Sequence, residues 1–136
     1  MSRRKRLDAP LSQRPVPDAV CERLRPPLAV VLGSPAEVVN LLSAADEAPG
    51  AVCYQMDLYQ AERLTAELAE AEIDARVVTA PDLWDLPAEF QTAVYMPARG
   101  GERELKIDMV EQSFHVLRPR GNLVLWSPHE GDPFFP

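Results

Sequence analysis

With 136 residues, 46% of them apolar, the chain suits one core built on a sheet of about five strands and has no room for a second independent domain. It holds no run of about 18 uncharged apolar residues, and its basic start, Met1 to Arg6, leads into Asp8 and Pro10 rather than an apolar leader, so we expect a soluble, cytoplasmic protein with no membrane span. The net charge of -7 divides unevenly: residues 1–27 carry seven basic and three acidic side chains (+4), and the remainder seven and eighteen (-11).

Residues 1–27 contain Pro10, Pro15, Pro17, Pro26 and Pro27, a density that blocks helix interiors and sheet ladders. A basic, mobile arm is expected there, with at most a helical turn near Asp18 to Leu24, ahead of an α/β domain over 28–136. The run Leu28-Ala29-Val30-Val31-Leu32 reads as a strand buried on both faces and ended by Gly33. Ser34 and Pro35 then supply a cap and a first-turn proline for a helix through Val38, Val39, Leu41 and Leu42.

The unit repeats after the turn at Pro49-Gly50. Residues 51–56 read as a second strand ending at Asp57, and Ala61, Leu64, Leu68 and Ala71 recur at helical spacing between Gln60 and Glu72. Arg76 to Thr79 is a brief third strand, followed by a loop from Pro81 to Pro87 anchored by Leu83, Trp84 and Leu86. Thr92 to Met96 is a fourth strand, and Gly100-Gly101 opens a helix from about Glu102 to Leu117 whose expected buried stripe is Leu105, Met109, Val110, Phe114 and Leu117. Arg118-Pro119-Arg120-Gly121 turns the chain into a fifth strand, Asn122 to Trp126.

Strands alternating with helices imply right-handed βαβ crossovers and a Rossmann-like, mostly parallel sheet, in the expected order 3-2-1-4-5, with helices on both faces. Ligands of such sheets sit beyond the carboxyl ends of the strands. Gly33 follows the first strand and Asp57 ends the second, 24 positions later, near the spacing between a nucleotide-binding turn and the acid that takes ribose hydroxyls. Asp57 serves equally well as a helix cap, and the two roles coexist. Cys21 and Cys53 match no ligand spacing, and neither His115 nor His129 has a histidine or cysteine partner at such spacing, so no metal site is expected.

The stretch Gln55-Met56-Asp57-Leu58-Tyr59-Gln60-Ala61-Glu62-Arg63-Leu64 resembles the second strand and following helix of class I S-adenosylmethionine-dependent methyltransferases. Asp108 to Leu125, with its Leu117-Arg118-Pro119-Arg120-Gly121 turn, is similar to the helix, Leu-Lys-Pro-Gly-Gly turn and fifth strand of that family. The resemblance covers roughly residues 28–127 and leans toward the two-domain ribosomal-RNA guanine-N2 methyltransferases, in which a degenerate methyltransferase-like half precedes the catalytic one. It implies S-adenosylmethionine as cofactor, with Gly33, Asp57, Leu58, Asp82 and Leu83 as its contacts.

Two departures bear on activity. The family's Gly-x-Gly-x-Gly loop is reduced to Gly33-Ser34-Pro35-Ala36-Glu37, which keeps only the first glycine. Its amine-gripping Asn-Pro-Pro-aromatic motif reads Met96-Pro97-Ala98-Arg99, and methionine cannot accept an amine's hydrogen bonds as an asparagine carbonyl does. A methyltransferase domain, a non-catalytic RNA- or protein-binding relative, and a nicotinamide-dependent oxidoreductase all follow from this topology. The single glycine and the Leu-Arg-Pro-Arg-Gly turn speak against the last.

Two partner expectations complete the reading. Arg3, Arg4, Lys5 and Arg6 suit RNA phosphates, each contact releasing a counterion. Past the fifth strand only Ser127 to Pro136 remain, too few for the family's closing hairpin. Strand 122–126 should therefore offer an open edge for self-association or a partner half.

Overall fold

The computed structural model describes residues 16–45, 50–97 and 103–126. In chain order the elements are α1 (Asp18–Cys21), β1 (Leu28–Leu32), α2 (Pro35–Ala44), β2 (Ala51–Gln55), α3 (Leu58–Glu70), β3 (Ala75–Thr79), β4 (Phe90–Met96), α4 (Arg103–His115) and β5 (Leu117–Leu125). The strands form one sheet in the order β3-β2-β1-β4-β5, every neighbour pair parallel, as the alternation of apolar runs and amphipathic helices demands. Val31 pairs with Tyr54 on one side and Tyr95 on the other, which brings the carboxyl ends of β1, β2 and β4 together.

Two apolar clusters sandwich the sheet. On one face Leu28, Val30, Val94 and Val124 pack with Val38 and Leu41 of α2 and Leu64 and Leu68 of α3. On the other, Ala29, Val31, Tyr54, Ala93 and Tyr95 pack with Met109 of α4 and with Leu83. The central strand β1 is buried on both faces, which is why it reads as an unbroken apolar run.

Four boundaries differ from the sequence reading, each for a local reason. The packed chain begins ahead of residue 28: Val16 and Leu24 are buried in the first cluster, and Pro27 O accepts the N–H of Gln91, so residues 16–27 form a covering segment, while residues 1–15 of the expected arm lie outside the described residues. Helix α3 starts at Leu58, because Asp57 caps it directly, and its end is marked by Glu72 at φ +57°. Residues 118–121 are not a turn before β5 but a bulge within it: Leu117 pairs with Phe90 and Asn122 already with Thr92. Gly121 permits the bulge, since a Cβ there would meet Arg118 O at 2.9 Å and Gln91 O at 3.1 Å.

The fourth difference concerns α4. Its buried residues are Lys106, Met109, Gln112 and Ser113, whereas Leu105 and Phe114 are 57% and 59% exposed. Of the expected apolar stripe, Met109 and Leu117 are buried and Val110 packs against the second cluster, whereas Leu105 and Phe114 turn outward. Loop 81–87 decides the rotation, because Gln112 Oε1 accepts the buried N–H of Leu83 at 2.9 Å and His115 Nε2 lies 3.1 Å from Leu86 O. Among the described residues no strand lies beyond β5, and no helix is long and apolar enough to cross a membrane.

Candidate cofactor crevice

The turn after β1 is tight. Leu32 and Gly33 both have positive φ, +62° and +91°, and a Cβ on Gly33 would lie 3.1 Å from Met96 Sδ and 3.1 Å from Val38 Cγ2. Its carbonyl is held from the neighbouring strand, because Gln55 Nε2 donates to Gly33 O at 3.1 Å. Thus the ends of β1, β2 and β4 converge on Gly33 through Gln55 and Met96.

The amino end of α2 is closed by its own side chains. Ser34 Oγ accepts the N–H of Glu37 at 3.3 Å, and its hydroxyl donates to Glu37 Oε1 at 3.0 Å. Pro35 occupies the first helical position and brings no N–H. Where a glycine-rich loop would leave donors facing a ligand, this turn presents a capped helix start and a carboxylate.

The end of β2 is more open. Asp57 Oδ1 accepts from Tyr59 N at 2.8 Å and from Gln60 N at 3.4 Å, so capping uses one carboxylate oxygen of this exposed residue and leaves Oδ2 without a hydrogen bond among the described residues. Capping and diol binding are compatible at this residue. Leu58 beside it is 64% exposed.

Asp82 lies beyond β3, and its Oδ1 accepts the N–H of Trp84 at 3.0 Å, an Asx turn that shapes the loop. Strands β2 and β3 pair Gln55 with Thr79, and Ala80 N donates to Gln55 O, so Asp57 and Asp82 follow adjacent strand ends. Leu83, expected as a cofactor contact, is instead a core residue at 1% exposure: its N–H is taken by Gln112 and its side chain joins the cluster under α4. It has no surface to give an adenine ring. Gln55, which the sequence reading passed over, is the residue that stitches the crevice floor, and its only signal was a polar side chain closing an otherwise apolar strand.

Trp84 packs on His115, ring centroids 5.3 Å apart, which makes both of them anchors of loop 81–87. Met96 and Pro97 are buried at the end of β4, and Ala98 to Glu102 lie outside the described residues. Among the described residues no group of three His, Cys, Asp or Glu side chains is placed to hold a metal ion.

Solved structures share this fold. A protein of Pseudomonas syringae assigned as a methyltransferase superposes with TM-score 0.60 at 23% identity, covering 92% of this chain and 74% of its own. An S-adenosylmethionine-dependent methyltransferase from Thiobacillus denitrificans, solved with S-adenosyl-L-homocysteine, gives 0.54 at 15% identity, over 92% of this chain and 55% of its own. The chain has the class I methyltransferase fold. A precorrin-8w decarboxylase from Methanobacterium thermoautotrophicum shares it too, with TM-score 0.55 at 15% identity, over 79% of this chain and 57% of its own. This chain thus spans little more than half the length of the last two proteins. No protein-family model matches the sequence. The comparison with curated proteins finds no match either.

The residues present fit one end of S-adenosylmethionine better than the other. Asp57 Oδ2 and the exposed Leu58 offer a diol acceptor and an apolar face for a nucleoside. Around Gly33 the Ser34–Glu37 cap, the Glu37 carboxylate and the close approach of Met96 crowd the place of the amino-acid end.

Proposed function

We propose that this chain is an S-adenosylmethionine-dependent methyltransferase-type domain, of the kind that modifies ribosomal RNA, in which the nucleoside-binding half of the crevice persists and the methyl-transfer half is degenerate. The observation that carries the reading is Asp57: one carboxylate oxygen caps α3 and the other, at the end of β2 beside exposed Leu58, has no hydrogen bond among the described residues. Bound there, the cofactor would supply an electrophilic methyl group. The part left to this chain's residues is to hold the ribose diol on Asp57 and cover the base with Leu58. Asp82 gives its Oδ1 to its own loop, so it bears on the site mainly by shaping that loop.

A second reading, a scaffold that has lost the cofactor altogether, is favoured by the Ser34–Glu37 cap and by Met96 at the position of the amine-gripping asparagine. Calorimetry separates the two. Titration with S-adenosylmethionine and with S-adenosylhomocysteine should show weak, comparable binding that falls by about 1 to 3 kcal/mol in Asp57→Ala, the cost of removing a charge-assisted partner. No heat with either nucleoside leaves the scaffold reading standing, and tight binding indifferent to Asp57 puts the site elsewhere.

A further inference from the structure

The opposite end of the sheet carries a feature that the crevice does not explain. In a chain of net charge -7, four of the exposed arginines gather at the amino ends of β4 and β5: Arg23, Arg25, Arg118 and Arg120. A shared hydrogen-bond frame holds them there. Arg23 O accepts from Asn122 Nδ2 at 3.1 Å and lies 3.1 Å from Thr92 Oγ1, and Arg25 N donates to that same hydroxyl at 3.1 Å. Gln91 ties the other two, donating from Nε2 to Arg120 O at 3.1 Å and accepting from Arg118 Nε at 2.9 Å.

None of the four forms an ion pair among the described residues, whereas Arg63 pairs with Glu67. Arg25 and Arg118 line an open cleft of about 860 Å³ whose other walls include the apolar side chains of Leu24, Pro26 and Ala44. One carboxylate, Glu22, stands among the described lining residues. Guanidinium charge concentrated on an acidic body, with no ion-pair partner among the described residues, is costly unless an anion meets it, and the guanidinium fork matches phosphate oxygens in pairs.

We propose that this amino-end face binds the phosphate backbone of single-stranded RNA, with Arg23, Arg25, Arg118 and Arg120 as the contacts. A single strand suits the face because its flexible backbone can follow cations set around an open cleft. Phosphate contacts of this kind position a strand without reading its sequence. The face lies across the sheet from Asp57, so it holds RNA independently of any crevice ligand.

The test is fluorescence anisotropy of the full chain with a labelled mixed-sequence RNA oligonucleotide over a salt series, beside polyglutamate as a competing polyanion. Arg25→Gln with Arg118→Gln should lower the slope of log affinity against log salt by roughly 1.4, about 0.7 for each phosphate contact on a single strand. Glu22→Gln, which only removes the opposing charge, should tighten binding, so a folding defect cannot produce the whole pattern. Affinity for S-adenosylmethionine should be the same in all these variants, which separates this face from the reading of the crevice.

Unchanged slope in the double variant, with binding lost instead when Arg3, Arg4, Lys5 and Arg6 are all replaced by Gln, would overturn the proposal. So would failure of the unaltered chain to bind RNA at low salt. Binding of polyglutamate without RNA would mark the surface as a protein-docking face and equally reject it.

Discussion

Gln112 Oε1 accepts the backbone N–H of Leu83 across 2.9 Å in the interior of the protein, joining α4 to the loop that follows β3. The amide is itself positioned by Nε2 donating to Asp108 Oδ2 at 2.7 Å. Replacing Gln112 with Met keeps the volume but orphans a buried donor. Stability in urea should fall by about 1 to 3 kcal/mol, with the midpoint moving and the slope preserved. A neutral substitution would mean that the loop finds another acceptor and that this bond does not orient α4.

Gly33 is the position where the crevice turn tolerates least. A methyl group there meets Met96 Sδ and Val38 Cγ2 at 3.1 Å, on a backbone at φ +91° that L side chains rarely adopt. Gly33→Ala should cost more than about 1 kcal/mol, the loss expected where the native φ suits only glycine. Gly50, also at positive φ but with nothing near its missing Cβ, should cost less on the same substitution. Equal losses would show that backbone strain alone, and not the contact with β4, sets the penalty.

At Asp57 stability and ligand affinity can be pulled apart. Asparagine caps helices as well as aspartate, so Asp57→Asn should leave thermal stability nearly unchanged while weakening nucleoside binding. Asp57→Ala should weaken binding and also remove about 1 kcal/mol of capping. If Asp57→Asn binds as tightly as the native chain, the carboxylate's charge is not what holds the diol.

Burial in β2 pushes the Cys53 thiol up from 9.0 to about 12. Below pH 9 the thiol is neutral in folded and unfolded chains alike, so it makes no pH-dependent contribution. From about pH 9 to 12 the unfolded chain ionises first, and stability should fall at up to about 1.4 kcal/mol per pH unit. Tyr54, raised by burial and by the nearby Glu89 carboxylate, steepens the same limb. Chemical denaturation across this range should show the decline, and Cys53→Ala should flatten it in part. An unaltered alkaline limb in that variant would assign the effect to Tyr54.

The outer edge of β5 has no neighbour among the described residues, and Leu125 on it is 41% exposed. Arg118 and Arg120 guard the start of the strand as charges commonly guard sheet edges, so pairing is confined to residues 122–125. We expect two copies to meet there, edge to edge, in sedimentation at micromolar concentration, and Leu125→Lys to return them to monomers. A monomer at every concentration would show that the edge is managed within the chain.

Sequence alone determined the sheet. Unbroken apolar runs at 28–32 and 51–54, separated by amphipathic helical spacing, admit few arrangements other than neighbouring parallel strands, because a right-handed crossover is the only easy way to connect them. It also placed Gly33 and Asp57 at the strand ends, since a residue that ends an apolar strand must stand at the rim of the sheet. What only the tertiary structure decided is which way α4 faces and what the prolines near residue 27 do. Periodicity counts apolar residues on a helix but cannot see that a buried loop N–H needs an acceptor, and one such bond from Gln112 turned Phe114 outward and Leu83 into the core. Likewise no local signal reveals that Thr92, 69 residues away, donates to the carbonyl of Arg23: proline density reports only that no long helix or ladder forms, and the bonds to the amino ends of β4 and β5 make residues 16–27 part of the folded body.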